Sequence, residues 1–470
     1  MCKRLNYIGL CLAFAQASSA LAAERRALVG QTEWVLQLER NDLLASRYRA
    51  EAIGVDGPHE MARPRIELLR GSVRGQPDSA VRLSIVDGKT QGLVHTAGSW
   101  YTLRASAGDT SAPLLLEPLA GTSAPIGSCG SDDLLLPPAL LLPSAIDRSS
   151  SQRTLRELEV ATEADYEFVT RYGGAAGANA RILSVLNLVD GVYETDLGLR
   201  LRVTSQRAWE TSSDPYSATS AVQLLYQLED YGNSSLGGTA RDVVHLFSGK
   251  NLDSNVIGVA YVGTACQLGY AYSLSQDLSY PAYDAITTAH EIGHNLSAVH
   301  DSGSLCPAPV YVMNPGLQSC IDHFSPVSQA LIGNWIDANS SCLAPASTAS
   351  IQLSAQPGQY VAGQRLRLEV STGGSGTAAD VYVLAVAPTG DFASLVGFNQ
   401  FGPPGQVLPL ARSLPITAGT GVLLDSVLPS NVLRGTYTFY AILSRPGTPP
   451  QSLLESSALL DMSQLSIEIR

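Results

Sequence analysis

The stretch His290-Glu291-Ile292-Gly293-His294-Asn295-Leu296-Ser297-Ala298-Val299-His300-Asp301 is followed downstream by Tyr311-Val312-Met313-Asn314-Pro315. Residues four apart on a helix lie one above the other on the same face. The spacing therefore predicts that His290 and His294 present two imidazoles to one metal ion, with Glu291 beside them to hold a water there. His300 brings a third imidazole six residues later. Three nitrogen donors with an open fourth position are the arrangement of a catalytic zinc site. HExxH alone recurs by chance in long chains, but the third histidine and the Met-Asn-Pro run together make coincidence a poor account.

The twelve-residue run resembles the metzincin signature. It departs at one position, where metzincins carry glycine and this chain has Ser297. The chain must leave the helix abruptly there to swing His300 back, a bend that favours a left-handed backbone. Serine adopts that conformation at a cost of roughly 1–2 kcal/mol, which three metal bonds can hold. Among metzincins the chain is similar to the adamalysin/reprolysin group of snake-venom metalloproteinases and ADAM proteases. Four local features carry this: Asp301 after the third histidine, the run Ile257 to Cys266, the bracketing of Met313 by Cys306 and Cys320, and Phe324-Ser325 leading to Cys342-Leu343. Leu183 to Tyr193 and Arg200 to Val203 look like an early helix and strand of the same domain. More weakly, Gly71 to Gly75 and Asp87 to Val94 look like the β-rich propeptide.

The resemblance implies a zinc metalloendopeptidase that hydrolyses protein or peptide substrates. His290, His294 and His300 would ligate one catalytic Zn2+, and Glu291 would act as general base on the water. Met313 would be a structural floor beneath the histidines and Ile257 to Val262 a substrate-binding edge strand. Calcium ligands are not matched around Cys342 to Pro345, so Ca2+ is not supported by the sequence. The competing reading is a secreted zinc-binding pseudoprotease or adhesin, with Ser297 distorting the site and the C-terminal region doing the binding.

Cysteine usage fits export. Lys3 and Arg4, the apolar run Ile8 to Ala17, and Ala20-Leu21-Ala22 make a secretory signal with a cleavage site. Cys2 and Cys11 leave with it. Four of the remaining five lie in the zinc domain and can pair in three ways; the resemblance favours Cys266–Cys342 and Cys306–Cys320. Cys129, in Pro125-Ile126-Gly127-Ser128-Cys129-Gly130, is left over. A thiolate would fill the open zinc position, so Cys129 resembles the cysteine switch of adamalysin-type propeptides. Residues 131–153, rich in Pro, Ser and Leu, then read as a processing linker with Arg148 and Arg153 as candidate cleavage positions.

The 470 residues, 45% apolar, have room for about three domains. The expected division is a signal peptide over 1–23, a propeptide over 24–150, a metzincin domain over 151–345 and an accessory domain over 346–470. Period-two alternation, as in Val81, Leu83 and Ile85 against Arg82 and Ser84, predicts a β-rich propeptide. Helical spacing over 180–191, 218–231 and 286–297, with strands at 243–247 and 257–262, predicts an α/β domain with a mainly parallel sheet. After Ala346 the alternation of Leu366, Leu368 and Val370 with arginine and glutamate predicts an all-β sandwich. Its ligand is not readable. His59, His95, His245 and His323 lack ligand spacing and read as surface or hydrogen-bonded residues.

Net charge is −12 with charged residues at 15%, which leaves no basic footprint for nucleic acid. Only Lys3, Lys89 and Lys250 are lysines, an arginine bias that points to a GC-rich, bacterial coding genome. No segment after the signal reaches the ~18 uninterrupted apolar residues of a membrane span. The mature protein is expected to be secreted, extracellular and without a transmembrane anchor.

Overall fold

The computed structural model describes residues 23–104, 112–131, 155–306, 310–321, 323–345, 349–355, 358–453 and 459–470. The expected signal cleavage site and the linker with Arg148 and Arg153 lie outside them. Contacts divide the chain near residue 346 into two units.

The first unit begins with β1 (Ala23–Val29), β2 (Thr32–Arg40), β3 (Leu44–Gly54), β4 (Gly57–Met61), β5 (Glu67–Val73), β6 (Gln76–Val86), β7 (Lys89–Thr96), β8 (Ser99–Arg104), β9 (Leu114–Pro118) and β10 (Ser128–Cys129). Seven of these close a barrel in the order β1-β2-β5-β6-β7-β8-β9, sealed by parallel pairing of β1 with β9. Val81 and Leu83 point into its core with Leu36, Leu38 and Val94. Arg82 and Ser84 face the other way, as the alternation requires, yet they are buried as well, because that face packs on a helix and not on water.

The chain continues through β11 (Arg156–Ala164), α1 (Tyr166–Arg171), α2 (Ala175–Leu197), β12 (Leu199–Trp209), α3 (Ala221–Ser235), β13 (Val243–Ser248), β14 (Val256–Ala260), β15 (Tyr272–Gln276), α4 (Pro281–Asn295), α5 (Pro326–Ala338) and β16 (Ala344–Pro345). The sheet runs β10-β14-β15-β13-β11-β12-β3-β4, with β16 against β11. β3, β12, β11, β13 and β15 are mutually parallel, whereas β14 runs antiparallel to β15. Both faces are covered, as parallel sheets require. Val243 and Phe247 of β13 join the core beneath α2 and α4, while Val244 and Leu246 join the one beneath α3.

Three strands of the N-terminal region, β3, β4 and β10, lie outside the barrel and belong to this sheet. β3 pairs with β12 from Val203↔Leu44 to Trp209↔Ile53. The barrel itself is pinned to α2 by Arg82, which bonds Asp190 at 3.1 Å and also reaches Glu194. A side chain at Gly191 would meet Arg82 Cγ at 2.7 Å, so glycine makes the socket. Asn41 extends this network to Asn187 and Asp190 at 2.8 and 3.0 Å. Burial alone would raise the pKa of Asp190, but Arg82 and Arg200 outweigh it and hold the carboxyl below its ordinary value.

The second unit comprises β17 (Ser350–Ala355), β18 (Gln359–Tyr360), β19 (Arg365–Val386), β20 (Phe392–Gly397), β21 (Gln400–Phe401), β22 (Pro409–Val427), β23 (Gly435–Ser444) and β24 (Leu459–Ile469). The sheet order is β18-β24-β23-β19-β20-β21, with β17 and β22 also on β19. Leu366, Leu368, Val383, Phe439, Ala441 and Ile467 fill its core. Among the described residues no helix is long and apolar enough to cross a membrane.

Candidate active site

Helix α4 opens with Pro281 at its first position, where the missing N–H costs nothing. It ends as the sequence requires. Ser297 has φ 78°, with Ser297 N bonded to His294 O at 2.9 Å and Ala298 N to Gly293 O at 3.0 Å. That pair of bonds is the Schellman termination, formed here with serine in the left-handed position. The turn carries His300 back over the helix.

The three imidazoles converge. Nε2 of His294 lies 3.1 Å from Nε2 of His290 and 3.2 Å from that of His300, and the remaining pair is 3.2 Å apart. His290 Nδ1 donates to Val312 O and His294 Nδ1 to Ala298 O, each at 2.7 Å. A carbonyl only accepts, so each Nδ1 carries the proton and each Nε2 turns a lone pair inward. Burial, then the neighbouring rings of His290 and His300, push the pKa of His294 well below the ordinary range, which keeps the ligating neutral form.

Cys129 joins them. Its Sγ lies 3.5 Å from His294 Nε2, and the sulfur and three nitrogens form one cluster of candidate ligand atoms. Tetrahedral zinc with Zn–N of about 2.0–2.1 Å and Zn–S of about 2.3 Å separates nitrogens by about 3.3–3.4 Å and sulfur from nitrogen by about 3.5–3.6 Å. Lone pairs packed this closely repel one another without a cation between them, so the donor set fits zinc. Burial, and then the Glu291 carboxylate, push the thiol pKa of Cys129 up; a divalent cation at this point would invert that.

Glu291 is buried and lies 3.5 Å from Cys129 Sγ. Burial pushes its carboxyl pKa well above the ordinary range, against the bond from Cys129. A cavity with room for about one water lies beside Glu291 and His290, walled by Ile257, Ile286, Thr287, Val312, Leu317 and Ile321. Met313 is fully buried under α4, where a side chain at Gly293 would meet its Sδ at 3.0 Å. Asp301 ties the third-histidine turn to α5 by accepting from the capping residue Ser325 at 2.6 Å.

Residues 127–131 thread between two walls. Gly130 N donates to Gly258 O at 2.9 Å and Cys129 N to Pro315 O at 2.9 Å, while Leu317 N donates to Gly127 O at 2.9 Å. Ser131 Oγ accepts from Ala260 N at 3.0 Å. Cys129 pairs with Gly258 as a parallel strand along β14. Cys266 is bonded to Cys342 and Cys306 to Cys320, leaving Cys129 as the free cysteine among the described residues.

Residues 154–325 match Reprolysin_5, metallo-peptidase family M12. This stretch is an adamalysin-like metzincin domain. The chain is 28% identical over 293 residues to the human disintegrin and metalloproteinase domain-containing protein 33, covering 58% of this chain and 35% of that protein. It is 25% identical over 310 residues to protein 19 of the same series from Mus musculus, covering 61% and 33%. It thus spans about a third of the length of the curated relatives it matches. Metalloproteinase-II from Bacteroides fragilis is a similar solved structure at 12% identity and TM-score 0.41, covering 66% of this chain and 90% of that one.

Of the other histidines, His245 lies under the metzincin helix, with ring nitrogens 2.9 Å from Ser273 and Ser275 Oγ. Burial lowers its pKa to about 3. His95 stacks on Trp100 and His323 lies against Tyr311. Ser131 belongs to no motif, and only the fold brings it to the site; Asp301 and Ser325 each stand in a motif, but their bond to one another is not readable from it.

Proposed function

We propose that the protein is a secreted zinc endopeptidase made as a latent precursor. The observation that carries this is the convergence of three Nε2 atoms and one Sγ beside a buried Glu291. His290, His294 and His300 would hold the ion; when bound, zinc supplies Lewis acidity and brings the pKa of water towards about 7. Val312 and Ala298 hold two of the rings in the ligating tautomer. Glu291 takes the proton of an attacking water and returns it to the leaving amine. An extended substrate would lie along β14, whose Gly258 O and Ala260 N give affinity through the main chain.

Both of those groups are engaged by residues 130–131, and the Cys129 sulfur stands where the attacking water must be. Residues 24–150 accordingly read as the propeptide, with Cys129 as its switch and maturation by cleavage in the linker. The C-terminal unit reads as an all-β sandwich accessory domain. A silent zinc-binding adhesin would need Ser297 to distort the turn, and neither the Schellman bonds nor the converging nitrogens support distortion.

The test is zinc content and cleavage of an unfolded protein by the matured protein and its Glu291→Ala variant. The variant should keep about one zinc per chain and lose turnover by several orders of magnitude, and a chelator should silence wild type. Equal hydrolysis by both proteins would remove Glu291 from its role.

A further inference from the structure

The close approach of β14 to the metzincin helix has a feature that motif spacing does not contain. A Cβ built on Gly258 would lie 2.8 Å from both Cγ and Cδ of Glu291, and closer still to Oε1. Real Cβ atoms essentially never come within 3.0 Å of such neighbours. The carboxylate therefore rests directly on the backbone of the edge strand, in space that any other residue at 258 would fill. Glu291 is 1% exposed, and the space beside it is the water-sized cavity next to His290. Its other carboxylate oxygen, Oε2, lies 3.5 Å from Cys129 Sγ. The same glycine offers its carbonyl to Gly130 N at 2.9 Å, so one residue faces both the chain in the cleft and the acid.

We propose that Gly258 is a positioning residue: its missing side chain sets where the Glu291 carboxylate stands relative to the peptide bound along β14. This rests on the reading of Glu291 as the base. The geometry makes strand and base one gauge. The main chain that would align the substrate is also the surface against which the base is seated, so the distance between them is set by a single backbone contact. An added methyl group pushes the carboxylate off its seat while leaving the three imidazoles and the strand's hydrogen-bonding groups in place.

The experiment compares Gly258→Ala with wild type, each made as the full-length precursor, matured and checked for zinc content. Gly258→Ala should lower kcat on the order of 10²-fold, as displacements near 1 Å do, with KM and zinc content close to wild type. The loss should fall on kcat and not on KM, because the carboxylate moves while the groups that pair with substrate backbone stay. A strand merely weakened by alanine would raise KM with kcat kept, and that result, or an unchanged kcat for Gly258→Ala, overturns the proposal. A crystal structure of full-length Gly258→Ala gives a readout without turnover. Displacement of the Glu291 carboxylate is expected, and an unmoved carboxylate overturns the proposal. If wild type itself cleaves nothing, the protease reading fails while the carboxylate position still decides the role of Gly258.

Discussion

His290 donates from Nδ1 to the carbonyl oxygen of Val312 at 2.7 Å, and Val312 immediately precedes Met313. The segment 311–315 thus reaches the helix that carries His290 and His294 twice, through this backbone bond and through the Met313 sulfur packed under Gly293. Its conformation decides which nitrogen of His290 is free to ligate.

Met313→Ala tests that coupling. Met313 is fully buried, so truncation should cost about 2–5 kcal/mol of stability. The Val312 carbonyl should loosen with it, and zinc affinity should fall about 10–100-fold. Chelator competition and thermal unfolding measure the two effects. Lost stability with unchanged zinc affinity would make Met313 packing alone.

Ser297→Gly should stabilise the protein by about 1 kcal/mol, since the left-handed φ of 78° strains serine and not glycine. Urea unfolding with zinc present reads this directly. A loss of stability would reveal a contact of the Ser297 hydroxyl that outweighs the strain.

Cys129→Ser replaces a soft sulfur with a weak oxygen ligand of similar size. The unprocessed variant should show activity that the wild-type precursor lacks. Thiol-capturing mercurials should activate wild type and leave the variant unchanged. A wild-type precursor whose X-ray absorption shows no sulfur around zinc would dismiss Cys129 as a ligand.

Glu163 gives a pH signature away from the histidine cluster. It is fully buried and accepts from Trp209 Nε1 at 3.0 Å and Tyr216 OH at 3.1 Å. Burial, opposed by Arg207 and these bonds, raises its pKa to about 7. Between the usual glutamate value and 7 the folded chain keeps a proton that the unfolded chain has released. The folded state then binds more protons, so stability falls as pH rises through that window. Glu163→Gln keeps an acceptor and removes the titration. Its decline from pH 4.5 to 7 should be shallower than wild type by on the order of 3 kcal/mol, read from denaturant unfolding across pH.

What could be read from the chain divides along sequence distance. The zinc helix, its abrupt end at Ser297 and the return of His300 follow from local spacing and backbone sterics, so residues 286–300 suffice for them. Strand alternation over 81–86 correctly separated Val81 and Leu83 from Arg82 and Ser84. It could not reveal that the second pair is also buried, since that depends on α2 more than 100 residues away. Nor can alternation name a strand's partner: nothing in Leu44 to Gly54 distinguishes a barrel strand from a neighbour of β12. The approach of Gly258 to Glu291 is of the same kind. A lone glycine in a strand hints at a close contact but not at its object.

The borrowed strand has a practical consequence. Were residues 155–345 produced alone, β12 would lose β3 and bare a row of unpaired N–H and C=O groups along much of an 11-residue strand. Such an edge recruits other chains. The apolar face of α2 now covered by the barrel would open beside it, and Asp190 would lose its Arg82 counter-charge. A preparation of this kind should clump more readily than the precursor, and departure of residues 24–150 after cleavage in the linker would leave the matured protein the same bare edge.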